Sequence, residues 1–236
     1  MILKPGTETT LVISDTQSPF HHKDSIRFLA HLKKKHKPTY VVHIGDEVDM
    51  HALSDYDADP DGYSAGHELK EAMKFMRLLY KLFPNVLVVT SNHTARPLKR
   101  AFKAGIPQAY IKDYSEFLEA PPGWEWADSY VIDGILYEHG EGIPTGTTGA
   151  KRCLERNGRS TVHGHLHSGA GVNWYATKEQ LHFVMNVGCL IDNNAYAFKY
   201  GKHAINKPVI GAGVVINGLP SFEPMLLNKR GRWIGV

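Results

Sequence analysis

Three times in its first 93 residues the chain runs through a short apolar stretch and stops in a knot of carboxylate, amide and imidazole side chains. Thr10–Ser14 leads into Asp15-Thr16-Gln17-Ser18-Pro19, Tyr40–Ile44 into Gly45-Asp46-Glu47-Val48-Asp49, and Val86–Thr90 into Ser91-Asn92-His93. Each run is short and rich in β-branched residues, as a buried strand is. Between the runs, apolar residues recur at helical spacing. Ile26, Leu29, Ala30 and Leu32 predict a helix over 24–37 with Asp24 as N-cap, and Leu69, Ala72, Met73, Met76, Leu79 and Tyr80 predict another over 66–83. Strands alternating with helices build a parallel sheet, whose side chains converge where the strands end at their carboxyl ends.

From Ser129 onward the pattern changes. Strand-like runs at 129–132, 135–138, 160–163, 172–176, 182–187, 209–216 and 222–227 are interrupted by one helical stretch at about 147–157. A βαβαβα half followed by a mostly β half predicts an α/β fold, a two-sheet β-sandwich flanked by helices. With 236 residues and no repeat, low-complexity tract or linker, a single domain over 1–236 is expected, without a separate capping domain. No run of eighteen apolar residues exists, so a membrane span is excluded, and the first residues lack a signal-peptide core. Cys153 and Cys189 are too few for a disulfide framework or a cysteine zinc site, which fits a reducing, cytoplasmic compartment.

Two further knots follow in the second half, Glu138-His139-Gly140 and Gly164-His165-Leu166-His167. Taken singly each has an ordinary reading: an Asp after a strand is a turn residue, and a lone His is a hydrogen-bonded one. Their order is what matters: Asp-x-Gln, Gly-Asp-x-x-Asp, Asn-His, His-Gly, Gly-His-x-His, each after a strand. Over about residues 11 to 168 this resembles the calcineurin-like metallophosphoesterases, in which a helix-flanked β-sandwich carries two divalent metals bridged by an aspartate. The resemblance implies Asp46 as the bridge, Asp15, Gln17 and His167 completing one metal site, and Asn92, His139 and His165 completing the other. It also implies that His93 protonates the leaving oxygen and that Asp49 orients His93. Two cations roughly 3.5–4 Å apart clamp a phosphate and make hydroxide available near neutral pH. Neutral imidazole and amide ligands leave such a centre positive enough to attract phosphate.

Gln17 stands where that family usually has histidine. An amide oxygen is a harder donor than imidazole, so Mn²⁺ is expected first, with Mg²⁺, Fe or Zn²⁺ as alternatives. In a rival reading, His21 or His22 supplies the missing nitrogen. Met50-His51 after the second motif departs from the Arg-Gly of the Ser/Thr protein phosphatases and counts against that branch. Ser91 replaces a glycine and Thr94 an acidic residue, and neither change removes a ligand. Arg96 is either a phosphate-contacting fork or merely the residue before Pro97 at a helix start. Asp57-Ala58-Asp59-Pro60-Asp61-Gly62, with Glu68 beyond, matches a calcium-loop pattern. Pro60 and Ser64 oppose Ca²⁺ over 57–68, and an acidic surface loop is the preferred reading. Gly146–Lys151 is not a P-loop, since the lysine follows no glycine and Arg152 replaces the Ser/Thr.

The net charge of +3 says little alone, but Lys99, Arg100, Lys103 and Lys112 cluster after the third motif, and Lys199, Lys202, Lys207, Lys229, Arg230 and Arg232 near the end. These are solvated faces or a nucleic-acid surface. The expected function is two-metal phosphoester hydrolysis, with phosphodiesters, nucleic acid among them, ahead of cyclic nucleotides, other small diesters and monoesters. The competing classes are a non-catalytic scaffold of the same fold and a single-strand nucleic-acid binder using Tyr196, Phe198, Tyr200 and Trp233. The alternation at 196, 198 and 200 favours a sheet face or core for those aromatics.

Overall fold

The computed structural model describes residues 6–55, 61–144, 148–192, 194–195 and 207–235. Its first sheet contains β1 (Thr9–Ile13), β2 (Tyr40–His43), β3 (Val86–Val89) and β4 (Trp124–Ala127), all parallel. On the other side of β1 it is extended antiparallel by β10 (Gly211–Ile216) and β11 (Leu219–Pro224), giving the order β11-β10-β1-β2-β3-β4. The second sheet has the order β5-β6-β7-β9-β8. Its parallel centre is β6 (Ile135–Glu138), β7 (Thr161–His163) and β9 (Leu181–Asn186), edged by antiparallel β5 (Tyr130–Ile132) and β8 (Gly171–Ala176).

The two-residue period of the strands assigns the layers. Val12 and Val42, with Ile44, Val89 and Val215, face Ile135, Tyr137, Val162, Phe183, Met185 and Val187 to fill the space between sheets. Their neighbours Leu11, Ile13, Val86 and Val88 point to the other face, where α1 (Ser25–His36) and α2 (Ala65–Leu82) lay down Phe28, Leu29, Leu32, Met73, Met76 and Leu79. Each such side chain, fully buried, contributes about 1.5–3 kcal/mol. Outside the second sheet, α5 (Gly149–Asn157) buries Cys153 against Ile143 and Val184. The α/β sandwich read from the sequence is the observed fold.

One strand lies where the sequence reading had none, and the helix expected to start near Pro97 is followed by a second, short one. β4 adds a fourth parallel strand, and after the third motif come α3 (Arg96–Lys103) and the short α4 (Tyr114–Phe117). Asp24 occupies the N-cap position of α1 but makes no side-chain capping bond there. Its carboxylate instead accepts from Arg232 and from the backbone N–H of Trp233. Trp233 is itself buried against Phe28 and His31, a core residue and not a nucleic-acid contact. Tyr196, Phe198 and Tyr200, Lys199 and Lys202, and Asp57, Asp59 and Pro60 lie outside the described residues. Glu68, the last residue of the calcium pattern, is buried and accepts from the N–H groups of His51 and Ala52 at 2.6 and 2.8 Å.

Candidate metal centre

The five motifs follow β1, β2, β3, β6 and β7, and the parallel strands of both sheets deliver them to one edge of the sandwich. The loops after β1 and β2 are joined by backbone bonds from Asp15 N–H to Gly45 O, Gln17 N–H to Asp46 O and Ser18 N–H to Glu47 O. Asp15, Gln17, Asp46 and His165 all have φ between 40° and 66°. That left-handed region costs a residue with a Cβ about 1–2 kcal/mol, and such strain gathers at functional sites. It turns each chain sharply enough for the side chains to point at one another.

Asp46 sits at the middle of the cluster. Its Oδ2 is 3.5 Å from His139 Nε2 and 3.5 Å from Gln17 Nε2, and its Oδ1 accepts from the backbone N–H of His93 at 3.0 Å. On one side His139 Nε2 lies 2.8 Å from Asn92 Oδ1 and 3.2 Å from His165 Nδ1. On the other, His167 Nε2 lies 2.9 Å from Asp15 Oδ1, with Gln17 Nε2 at 3.5 Å from the same imidazole nitrogen. Asp15 also accepts from the N–H of His165 and from the Ser14 hydroxyl. The seven residues picked out in the sequence are thus brought together, in two groups that share Asp46. Neither rival nitrogen reaches them: His22 Nε2 faces Gly231 O at 3.1 Å, and His21 stacks on Phe75 with ring centroids 3.7 Å apart.

The donor set fits a cation. His139 Nδ1 is 2.8 Å from Ile44 O, a carbonyl that can only accept, so Nδ1 carries a proton and Nε2 is the nitrogen turned into the cluster. Nε2 faces the Asn92 amide oxygen and the Asp46 carboxylate, and all three are atoms that could ligate a shared cation. Asp46, His139 and His165 bring ligand atoms within 4.8 Å of one another. On the other side Gln17 turns Nε2 toward Asp46 and His167 while its Oε1 is buried with no hydrogen-bond partner, and exchanging the two by an amide flip would present an oxygen donor there.

Electrostatics follow the same division. Burial alone would raise the pKa of Asp15, but His167 and His139 hold it far below the usual carboxylate range. Burial likewise opposes ionisation of Asp46, and His93 and His139 overcome it. His165 is shifted down by burial and by His139, which keeps it a neutral donor.

His93 stands beside this cluster, 3.8 Å from Asp46 Oδ2, with Nδ1 2.8 Å from Asp49 Oδ1. Burial works against its protonation, yet Asp46 and Asp49 together shift its pKa upward. Arg96 is turned toward this pair. Its NH1 donates to Asp49 O at 2.7 Å and to Asp49 Oδ1 at 2.9 Å, and its NH2 meets His93 Nε2 at 3.2 Å. One edge of Arg96 also lines a cavity of about 220 Å³ with Asn92, Leu53, Lys99, Arg100 and Glu141.

Several supporting residues escaped the sequence reading. Ser91, noted only as a replacement for glycine, accepts from the Asp46 N–H at 2.7 Å. Its Cβ would lie 2.5 Å from one added at Gly45, whose φ is +83°, so glycine at 45 makes room for serine at 91. Buried Glu47, its pKa raised by burial, accepts from Trp126 Nε1 at 3.0 Å and ties β4 to the Asp46 loop.

The sequence profile of the calcineurin-like phosphoesterases matches residues 9–207. No curated protein matches the chain. Among solved structures, the phosphoesterase Yfce from E. coli shares 14% identity at a TM-score of 0.47, covering 96% of each chain. Vacuolar protein sorting 29 from Cryptosporidium parvum shares 13% at 0.46, covering 92% of this chain and 95% of its own. A Pseudomonas putida nuclease MPE shares 14% at 0.34, covering 91% and 86%.

Proposed function

Since the chain belongs to the calcineurin-like phosphoesterase family, we propose that it is a two-metal phosphodiesterase that uses His93 as general acid. One observation carries this reading: Nε2 of His139 faces the Asn92 amide oxygen at 2.8 Å and the His165 Nδ1 at 3.2 Å beside the buried Asp46. Asp15, Gln17, Asp46 and His167 would hold one divalent cation, and Asp46, Asn92, His139 and His165 the other. When bound, the cations draw phosphoryl oxygens into the centre and lower the pKa of water there. The amide oxygen of Gln17 favours Mn²⁺, ahead of Mg²⁺, Fe and Zn²⁺.

The remaining steps belong to side chains. Asp49 accepts from His93 Nδ1–H and fixes the ring, so that Nε2 is the atom facing the substrate. In the acid form Nε2 would carry a proton in place of the contact it now makes with Arg96 NH2, and that proton would pass to the leaving oxygen as the ester bond breaks. Arg96 donates to Asp49 and so holds the carboxylate that orients His93, and it lines the cavity where a phosphate would sit. The basic helix α3 beside that cavity favours a diester polyanion such as nucleic acid, whose successive phosphates it could meet, over substrates with a single phosphate.

The test is hydrolysis of bis(p-nitrophenyl) phosphate and of p-nitrophenyl phosphate by metal-stripped protein refilled with Mn²⁺. Diester turnover should exceed monoester turnover, and His93→Ala should cut kcat by about 10²–10⁴. Metal bound at full occupancy with no turnover of either ester would overturn the hydrolase reading in favour of a non-catalytic scaffold.

A further inference from the structure

α3 contains four cations in eight residues. Arg96, Lys99, Arg100 and Lys103 are spaced i, i+3, i+4 and i+7, which sets them along one face. That face borders the 220 Å³ cavity that also contains Asn92, so the row of charge begins at the metal centre and leads away from it. From first to last it runs roughly 10 Å along the helix, beyond the reach of one phosphate. The row is only partly neutralised. Arg96 is paired with Asp49 at 2.9 Å, and Arg100 lies 3.4 Å from the Asp55 carboxylate and also donates to Leu53 O and Ser54 O. Lys103 lies 2.6 Å from the same Asp55, and Lys99 forms no ion pair among the described residues.

Beside this row stand large apolar side chains left in solvent. Phe102 is 53% exposed, Ile106 42% and Tyr110 81%. Tyr110 belongs to the 3-10 turn Gln108–Tyr110, which packs beside α3 across a cavity of about 100 Å³ lined by Pro97, Leu98 and Gln108. A single exposed aromatic is ordinary on a protein surface. Two of them on the helix that carries a row of cations from a phosphoesterase centre and on the turn packed against it, Phe102 three residues from Lys99, are a different matter. Cations spaced along the row meet successive phosphates, and flat rings meet unpaired bases. A duplex offers its phosphates but hides its base faces, and a cyclic nucleotide has no second phosphate for the row to hold.

We propose that α3 and the turn after it form the substrate track for single-stranded polynucleotide, with Lys99, Arg100 and Lys103 on the backbone and Phe102 and Tyr110 stacking on bases. This deepens the phosphodiesterase reading and rests on it for turnover, though not for binding. The experiment compares the intact chain with Lys99→Gln/Lys103→Gln and Phe102→Ala/Tyr110→Ala. The substrates are a mixed-sequence twelve-base single strand, the same strand in a duplex, and bis(p-nitrophenyl) phosphate, all in Mn²⁺.

Each double variant should lose at least tenfold more kcat/KM on the single strand than on the small diester, with the loss in KM. The lysine pair should also flatten the log–log salt dependence of strand binding, read by fluorescence anisotropy, by about 1.4. Equal losses on both substrates, or a duplex bound as well as the single strand, would overturn the proposal. So would small-diester turnover by a parent protein that does not bind the strand, which leaves the phosphodiesterase reading intact. Strand binding that depends on these four residues, in a parent that hydrolyses nothing, would uphold the track and overturn the hydrolase.

Discussion

Gln17 separates this centre from one with histidine at that position, and its consequence is specific. Its Oε1 is buried without a partner, which costs a folded protein about 1–3 kcal/mol unless something there accepts the lone pair. With the amide flipped a cation does so, and a leucine of similar length cannot provide it. Gln17→Leu should therefore fold, as circular dichroism would show, yet retain about one metal per chain where the parent retains two, by elemental analysis of the purified protein. Gln17→His should raise Zn²⁺ affinity relative to Mn²⁺, because imidazole suits zinc; unchanged preference would remove Gln17 from the ligand set. The residues proposed as ligands stand out in the sequence because each ends an apolar run, and the structure brings them together. Arg96 was legible only as a residue type. Nothing in the order Asn92-His93-Thr94-Ala95-Arg96 reveals that its guanidinium closes on Asp49, 47 positions earlier, at 2.9 Å.

At the scale of elements, the centre depends on how closely the loop after β7 approaches the one after β1. Gly164 makes this approach possible: a Cβ there would lie 1.8 Å from Ser14 Oγ and 2.6 Å from Asp15 Oδ2. Ser14 is fully buried and bonded to Asp15, so neither atom has room to retreat. Gly164→Ala should displace Asp15, lower metal occupancy and cut diester turnover by at least about tenfold, with a loss of stability of about 1–3 kcal/mol. Denaturant melts and metal analysis of the variant would check it, and parent-like occupancy would show that the loops can part. The same scale explains what the sequence reading missed. β4 is only Trp124-Glu125-Trp126-Ala127, too short to stand out, and it is a strand because β3 offers it an open parallel edge. α3 is expected only from the helix start at Pro97, since it has no apolar stripe to give its extent; Pro97 in its first turn and the Asp55 partner of its basic face support it instead.

For the molecule as a whole, the C-terminal segment closes back over α1, and one buried carboxylate holds it. Asp24 is 1% exposed at its side chain and accepts from Arg232 Nε at 2.7 Å, Arg232 NH2 at 2.6 Å and Trp233 N–H at 3.0 Å. Trp233 then packs edge-on against Phe28, joining the tail to the helix layer over the first sheet. These contacts span more than 200 residues, which is why the local sequence suggested an N-cap for Asp24 and gave no hint of a clamp. The Arg232 hydrogen bonds, outweighing the cost of burial, hold the Asp24 carboxyl far below the usual carboxylate range. An unfolded chain would take up a proton near pH 3.9, and the native one only at lower pH. The clamp therefore contributes fully above about pH 4, and its contribution is lost as pH falls toward the native pKa. Asp24→Asn should lower stability near neutral pH by about 1–3 kcal/mol, since an amide keeps the shape but weakens the bonds to Arg232. The gap between parent and variant should narrow as pH falls below 4, because acid removes from the parent what the substitution has already removed. Denaturant titrations at pH 7, 5 and 3 would check it: a gap independent of pH would mean that packing of Trp233, and not the carboxylate, fastens the tail.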